Sequence, residues 1–303
     1  MEGCQQDPLV DISIAAGLSA AFCWGTADYL SRGQSEKIGY YRTVVYSHIV
    51  TLVVLIALVP ILSPNLQVSP SPVLVLVVAG ILNFIAFNFL YRAYHRGIVS
   101  LVAPVAYTYP AITTVLSIVI LGAILSSAKI LAIVGIILGV ILLSTRFSEL
   151  RAFVHGSGAP NLTSGIGSAV GASFLFGVVY IAIGYAAPSV GVVVPALVLR
   201  AVAITAGFLL APLLHQQVGP SRLTFSSMIF VMGILEAAGF ISFTYGISTT
   251  GSSLPVVAAL SSMGGAVAAS YGLVFLRERL EPNQIVGVLF SLIGVFTLLY
   301  LGG

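Results

Sequence analysis

Phe22-Cys23-Trp24-Gly25, in the first apolar stretch of the chain, returns 152 residues later as Phe174-Leu175-Phe176-Gly177. Gly80-Ile81-Leu82 returns as Gly233-Ile234-Leu235, and Leu121-Gly122-Ala123-Ile124-Leu125 stands where the second copy has Leu276-Arg277-Glu278-Arg279-Leu280. The offset drifts only from 152 to 155 residues, so one hydrophobic text is written twice between residues 12 and 302. A unit that crosses a bilayer an odd number of times must place its copy in the opposite orientation, which is the layout of alternating-access carriers.

Composition agrees. The 303 residues are 58% apolar and 7% charged, with a mean hydropathy of +1.10, whereas an ordinary soluble domain is roughly 25% charged. Too few polar side chains exist to cover a water-soluble surface, so an integral membrane protein is predicted. The net charge of +3 is small, and no basic run interleaved with aromatics suggests nucleic acid. Cys4 and Cys23 have no metal-ligand company, and a disulfide between them is not expected. No metal or cofactor is expected. Glu2, Asp7 and Asp11 replace the positive region of a signal peptide, so the first helix is expected to be retained. The expected location is a bacterial inner (plasma) membrane.

Segments long enough to cross a hydrocarbon core of about 30 Å fall at 12–32, 42–62, 72–95, 98–123, 127–146, 165–186, 191–214, 224–248, 252–276 and 282–302. Pro60 to Pro72, Gly156 to Pro160, Pro188, Gly219-Pro220 and Glu281-Pro282 punctuate them, with tight junctions at Arg96-Gly97 and Thr250-Gly251. Ten spans put ten of the twelve lysines and arginines on one side. Lys129 lies opposite and Arg200 inside a span. The positive-inside rule makes the rich side cytoplasmic and points both termini outward. The predicted fold is therefore all-α: ten transmembrane helices in two inverted five-helix halves, residues 1–155 and 156–303.

Small residues recur at four-residue spacing at Gly17/Ala21/Gly25, Gly135/Gly139 and Gly167/Gly171, which suits close helix packing. The fourth span carries Pro104 and Pro110. The ninth has Pro255 near its start and Gly264-Gly265 at the place matching Pro110. These are predicted kinks or hinges; static kinks would leave the same sequence.

The Trp24-Gly25 pair, the ending Leu276-x-Glu278-x-Leu280, and Gln284, Gly287 and Gly294 in the last helix carry a family resemblance. The chain resembles the drug/metabolite transporter superfamily, in its ten-span EamA-type branch, over nearly its whole length. That resemblance implies a secondary transporter, often an exporter of amino acids or other small metabolites. Ala123 stands where the second half has Glu278, which points to a structural role for that glutamate near its helix end.

Ionisable groups at membrane depth cost about 2.5–3.5 kcal/mol or more on insertion scales, so each needs a reason. Glu236 lies midway along the eighth span and corresponds to Asn83 in the third. Arg200, in the seventh, falls on His48 of the second. Arg200 can fork onto a substrate carboxylate, and Glu236 can meet an amine or take up a proton. Alternatively the two neutralise each other inside the bundle. Trp24 and Asp28 share one face of the first helix and form a stacking wall with an acidic floor, unless Asp28 pairs with Arg32 four residues on. Asp28 is a second candidate for proton coupling. Asn83, Phe87 and Tyr91 share a stripe, and Tyr107 and Tyr109 sit between the two prolines of span four, where phenols suit a cavity for organic solutes.

The leading function is alternating-access transport of a small organic solute, with proton coupling as an option. Facilitated diffusion or a channel is the alternative. No His-Glu-x-x-His, Gly-x-Ser-x-Gly or phosphate-binding glycine loop is present, so neither an enzyme nor an ATP-driven pump is suggested. Ten spans can enclose a cavity, so a monomer suffices and a dimer stays open.

Overall fold

The structure is a computed structural model that describes residues 8–62, 69–96, 102, 105–145, 147–154, 162–220, 222–248, 254–276 and 281–301. Lipid offers no partner to backbone N–H and C=O groups, so an apolar chain of this length satisfies them internally as helices. The first half holds α1 (Pro8–Ile38), α2 (Tyr40–Leu62), α3 (Pro70–Arg96), α4 (Tyr109–Leu121) and α5 (Ser127–Ser144). A short α6 (Phe147–Val154) occupies part of the link between the halves. The second half holds α7 (Leu162–Val190), α8 (Val193–Leu210), α9 (Ser227–Ser248), α10 (Leu254–Ser261), α11 (Gly264–Leu276) and α12 (Pro282–Leu301). Five of these, α2, α3, α7, α8 and α9, are long and apolar enough to cross a membrane by length and composition. Exposed apolar side chains such as Val115, Val119, Leu131, Ile293 and Phe296 cover the outer faces of α4, α5 and α12, a surface suited to lipid.

The two halves interlock by a two-fold rule. Call residues related by the 152–155 offset mates. Helix α1 packs along α9, and its mate α7 packs along α3; α2 meets α9, and α8 meets α3. Helix α5 packs on its own mate α12. Individual contacts obey the same rule. A Cβ on Gly25 would fall on Gly264 O and 2.8 Å from Val267 Cβ, while one on its mate Gly177 would lie 2.7 Å from Ile112 Cβ and 3.4 Å from Tyr109 O. Gly264 and Val267 are themselves the mates of Tyr109 and Ile112. Of the other small-residue positions, Gly17 and Gly139 sit in similarly close crossings, whereas a Cβ on Gly167 would meet nothing.

Several boundaries differ from the sequence expectation. Helix α1 runs to Ile38 because Gln34 and Ser35 are buried. Gly39 then turns the chain at φ 85°, and its mate Gly191 does so at φ 78° between α7 and α8. A Cβ is unfavourable at such φ, so both turns need glycine. Pro188 does not break its span; it lies inside the last turns of α7. The fourth and ninth spans are each discontinuous. A turn at Tyr107-Thr108 precedes α4, and a turn at Ser262-Met263 separates α10 from α11. Thr108 N–H bonds Val105 O at 3.2 Å, and Met263 N–H bonds Leu260 O at 3.1 Å, so the tightened turns are mates as well.

Pro110 occupies the first turn of α4, where its missing N–H leaves no helical bond unmade. Pro255 likewise sits at the start of α10, and Gly264 opens α11. Pro104, Glu278, Cys4, Gly97 and the Thr250-Gly251 junction lie outside the described residues. At the link, the Ser148 N–H and hydroxyl both donate to Glu281, and Asn283 and Gln284 donate to carbonyls at the end of α5, which ties α12 to α5 and α6.

Candidate functional site

Arg200, midway along α8, is fully buried and tied to three other helices. Its Nη1 donates to Asn83 Oδ1 on α3 at 3.0 Å and meets His48 Nε2 on α2 at 2.8 Å. Nη2 stands 3.2 Å from Glu236 Oε2 on α9, within ion-pair range but off the hydrogen-bond axis. A guanidinium only donates, so His48 Nε2 accepts and the ring proton sits on Nδ1, 3.4 Å from Glu236 Oε2. Glu236 also accepts from the Tyr91 hydroxyl at 3.1 Å and the Thr51 hydroxyl at 3.3 Å. Phe87 and Phe240 cover the guanidinium with ring centroids 5.0 and 4.5 Å away, a cation–π arrangement.

Asn83 and Glu236 are mates, as are Phe87 and Phe240, and Arg200 is the mate of His48. The guanidinium therefore takes one member of each pair from each half, at the place where the two-fold relation converges.

Next to this cluster lies a cavity with about 450 Å³ of space unoccupied by atoms, part of it open. Trp24, Ala27 and Asp28 of α1 form one wall. Phe87 and Leu90 of α3, Ala106 and Tyr107 at the break, Tyr109 of α4, Phe176 and Tyr180 of α7, and Glu236 complete it. Its walls are largely aromatic. Trp24 and Tyr180 lie nearly parallel at 5.8 Å, Phe176 and Tyr180 at 6.1 Å, and Tyr109 meets Tyr180 at 4.9 Å. No lysine, arginine or histidine among the described residues lines it.

Asp28 is the polar feature of this cavity without a countercharge. It is 8% exposed, and its Oδ2 accepts from the Tyr107 hydroxyl at 2.7 Å and the Tyr94 hydroxyl at 3.5 Å. Its Oδ1 takes no hydrogen bond from a described residue. The pairing with Arg32 suggested by their spacing is not made. Arg32 points outward and pairs with Glu36 at 3.5 Å, both side chains more than half exposed.

The structure thus divides the residues singled out from the sequence into two groups. Trp24, Asp28, Tyr107, Tyr109 and Glu236 meet at the cavity, while His48, Asn83 and Arg200 gather in the cluster behind it. The Tyr109 hydroxyl bonds the Ser261 hydroxyl at 2.8 Å, joining the two broken spans to each other. Among the described residues no three His, Cys, Asp or Glu side chains converge as a metal site would need. Phe176, Tyr180, Tyr94 and Thr51 were not singled out. For two of them a signal existed: Phe176 and Tyr180 are the mates of Trp24 and Asp28.

Known proteins bear on this arrangement. The model of the EamA-like transporter family matches residues 11–145 and again residues 163–300. An "Uncharacterized transporter" of Archaeoglobus fulgidus is 25% identical over 292 residues, which is 95% of this chain and 98% of that protein. An uncharacterized protein of Methanocaldococcus jannaschii is 30% identical over 136 residues, 45% of this chain but 98% of its own length, so it has the size of one half. A crystal structure of a protein superimposes with a TM-score of 0.72 over 94% of this chain and 95% of that one, at 17% identity, a likeness of fold alone. With two copies of the family's unit covering nearly all of an integral membrane chain, this protein belongs to the EamA-like transporter family, whose members carry small solutes across membranes.

Proposed function

We propose that the protein is a secondary carrier working by alternating access, in which Asp28 exchanges a proton for the transported solute. The observation that carries this reading is the state of Asp28. It is a buried carboxylate on the wall of a cavity between the two halves, held by two phenols and balanced by no described cation. An unbalanced charge at membrane depth is costly, so the site favours an occupant that neutralises it. A proton and a positively charged solute group both do so, and they exclude one another. That competition is the requirement for exchange.

Glu236 is less suited to coupling, because Arg200 already faces it at 3.2 Å. The discontinuous fourth and ninth spans supply segments that can move without unravelling a continuous helix. The membrane is the plasma membrane, both termini point outward by the distribution of basic residues, transport runs toward export, and one chain is sufficient.

The test is uptake of radiolabelled phenylalanine and phenethylamine into proteoliposomes with and without an imposed pH gradient. Uptake of one of them is expected to rise with the gradient, and Asp28→Asn is expected to remove the rise. Equal uptake under both conditions, unchanged by Asp28→Asn, would refute coupling and favour facilitated diffusion.

A further inference from the structure

We infer that the solute is an organic cation: an amine with an aromatic or bulky apolar body and no carboxylate. The inference rests on the carrier reading for the route across the membrane, but the recognition chemistry is argued from the cavity itself.

A zwitterionic amino acid needs a partner for each of its charges. Arg200 is the basic side chain nearest to filling the carboxylate's need, and it is withheld. Its Nη1 is bonded to His48 and Asn83, Nη2 faces Glu236 at ion-pair distance, and Phe87 and Phe240 cover it. It does not reach the cavity wall. A carboxylate entering the cavity would meet Asp28 and the flank of Glu236, charges of its own sign, with no cation in front of it.

An ammonium group meets the opposite situation. Asp28 offers Oδ1 while Tyr107 and Tyr94 hold Oδ2, so the carboxylate is oriented before the ligand arrives. A charge-assisted bond of this kind is roughly twice as strong as a neutral one. The rings of Trp24, Tyr107, Tyr109, Phe176 and Tyr180 line the space around it, an aromatic setting that favours a cation and an apolar body.

Trp24 is the chain's one tryptophan and it lines the cavity, so its fluorescence reports occupancy directly. Purified protein in detergent is titrated with phenethylamine, phenylalanine, phenylpropionate and phenylethanol, which share a body and differ in charge. Phenethylamine is expected to change Trp24 emission with an apparent affinity at least about tenfold tighter than phenylalanine, and phenylpropionate is expected to bind more weakly still. Asp28→Asn is expected to weaken phenethylamine by about 10- to 100-fold and the uncharged phenylethanol far less, so that the loss follows the charge of the ligand.

Equal or tighter binding of phenylalanine would overturn the inference, as would phenethylamine binding that survives Asp28→Asn or a failure of every probe to alter the emission. Parallel flux measurements separate the two readings. Selective amine binding without flux would count against carriage and leave the site standing. Gradient-driven flux of phenylalanine with tighter phenylalanine binding would do the reverse.

Discussion

Replacing Glu236 by glutamine keeps the side chain's shape and removes the negative charge that faces Arg200 at 3.2 Å. Tyr91 donates to one carboxylate oxygen and Thr51 to the other, so the single amide oxygen keeps an acceptor for one of these hydroxyls. What is lost is compensation of a fully buried guanidinium, whose remaining neighbours, His48, Asn83, Phe87 and Phe240, carry no full negative charge. Breaking a buried pair by removing one partner costs about 3–5 kcal/mol, because the other charge stays buried and unpaired. The cation–π faces contribute of order 2 kcal/mol, and they are present before and after the change. The expected loss for Glu236→Gln is therefore about 3 kcal/mol. The assay is thermal unfolding of purified protein followed by Trp24 emission, beside Arg200→Met and the double variant. The double variant is expected to be more stable than Glu236→Gln alone, since no isolated charge remains. A Glu236→Gln protein within about 1 kcal/mol of the parent, or a double variant showing the simple sum of the two losses, would refute the assignment of Arg200 and Glu236 as a mutually dependent buried pair.

Three further outcomes follow from the same geometry. Because coupling is assigned to Asp28, Glu236→Gln protein that survives purification is expected to keep gradient-stimulated uptake in proteoliposomes, and Asp28→Asn to lose it; the opposite pattern would move coupling to Glu236. Gly25→Ala and Gly177→Ala are each expected to destabilise the protein by about 1–3 kcal/mol, since each new Cβ would collide with a broken span, whereas Gly33→Ala, which meets nothing within 4 Å, is expected to be neutral or slightly stabilising by thermal unfolding. Gly239→Ala would place a Cβ 2.5 Å from Trp24 Nε1 and is expected to displace the indole, read as a shifted emission maximum and weaker phenethylamine binding.

The ten spans and their inverted halves were legible because a bilayer forces long apolar runs and because the repeat states the symmetry in letters. The convergence of His48 with Arg200 and of Asn83 with Glu236 was legible for the same reason, once the offset was applied. The two-residue turns at Tyr107-Thr108 and Ser262-Met263 were not. Proline and glycine marked their neighbourhood, but a local tightening of the helix leaves apolar periodicity intact. Asp28 shows a different limit. Its spacing to Arg32 allowed a helical pair, yet Glu36 stands at the same spacing on the other side of Arg32, and the exposed face of α1 decided between them. Tyr180 was written in the sequence as the mate of Asp28, but a neutral residue at membrane depth raises no alarm on its own.

That last pair matters most for mechanism. In an inverted-repeat carrier, the inward- and outward-facing states exchange the conformations of the two halves, and identical halves would make the two states equal in energy. Arg200 does not by itself separate them. It holds Asn83 as its mate His48 holds Glu236, so exchanging the halves preserves its contacts with His48 and Asn83. The cavity is different, because Asp28 faces Tyr180 where symmetry would have repeated the carboxylate. One half then carries the charge and the other a phenol, and only the first has a reason to hold a proton or a cation. A ligand shifts a two-state equilibrium only through unequal interaction with the two states. On the carrier reading, Asp28 is where that inequality arises, with the Tyr107 bond at the broken fourth span as the contact through which its occupancy reaches a segment able to move.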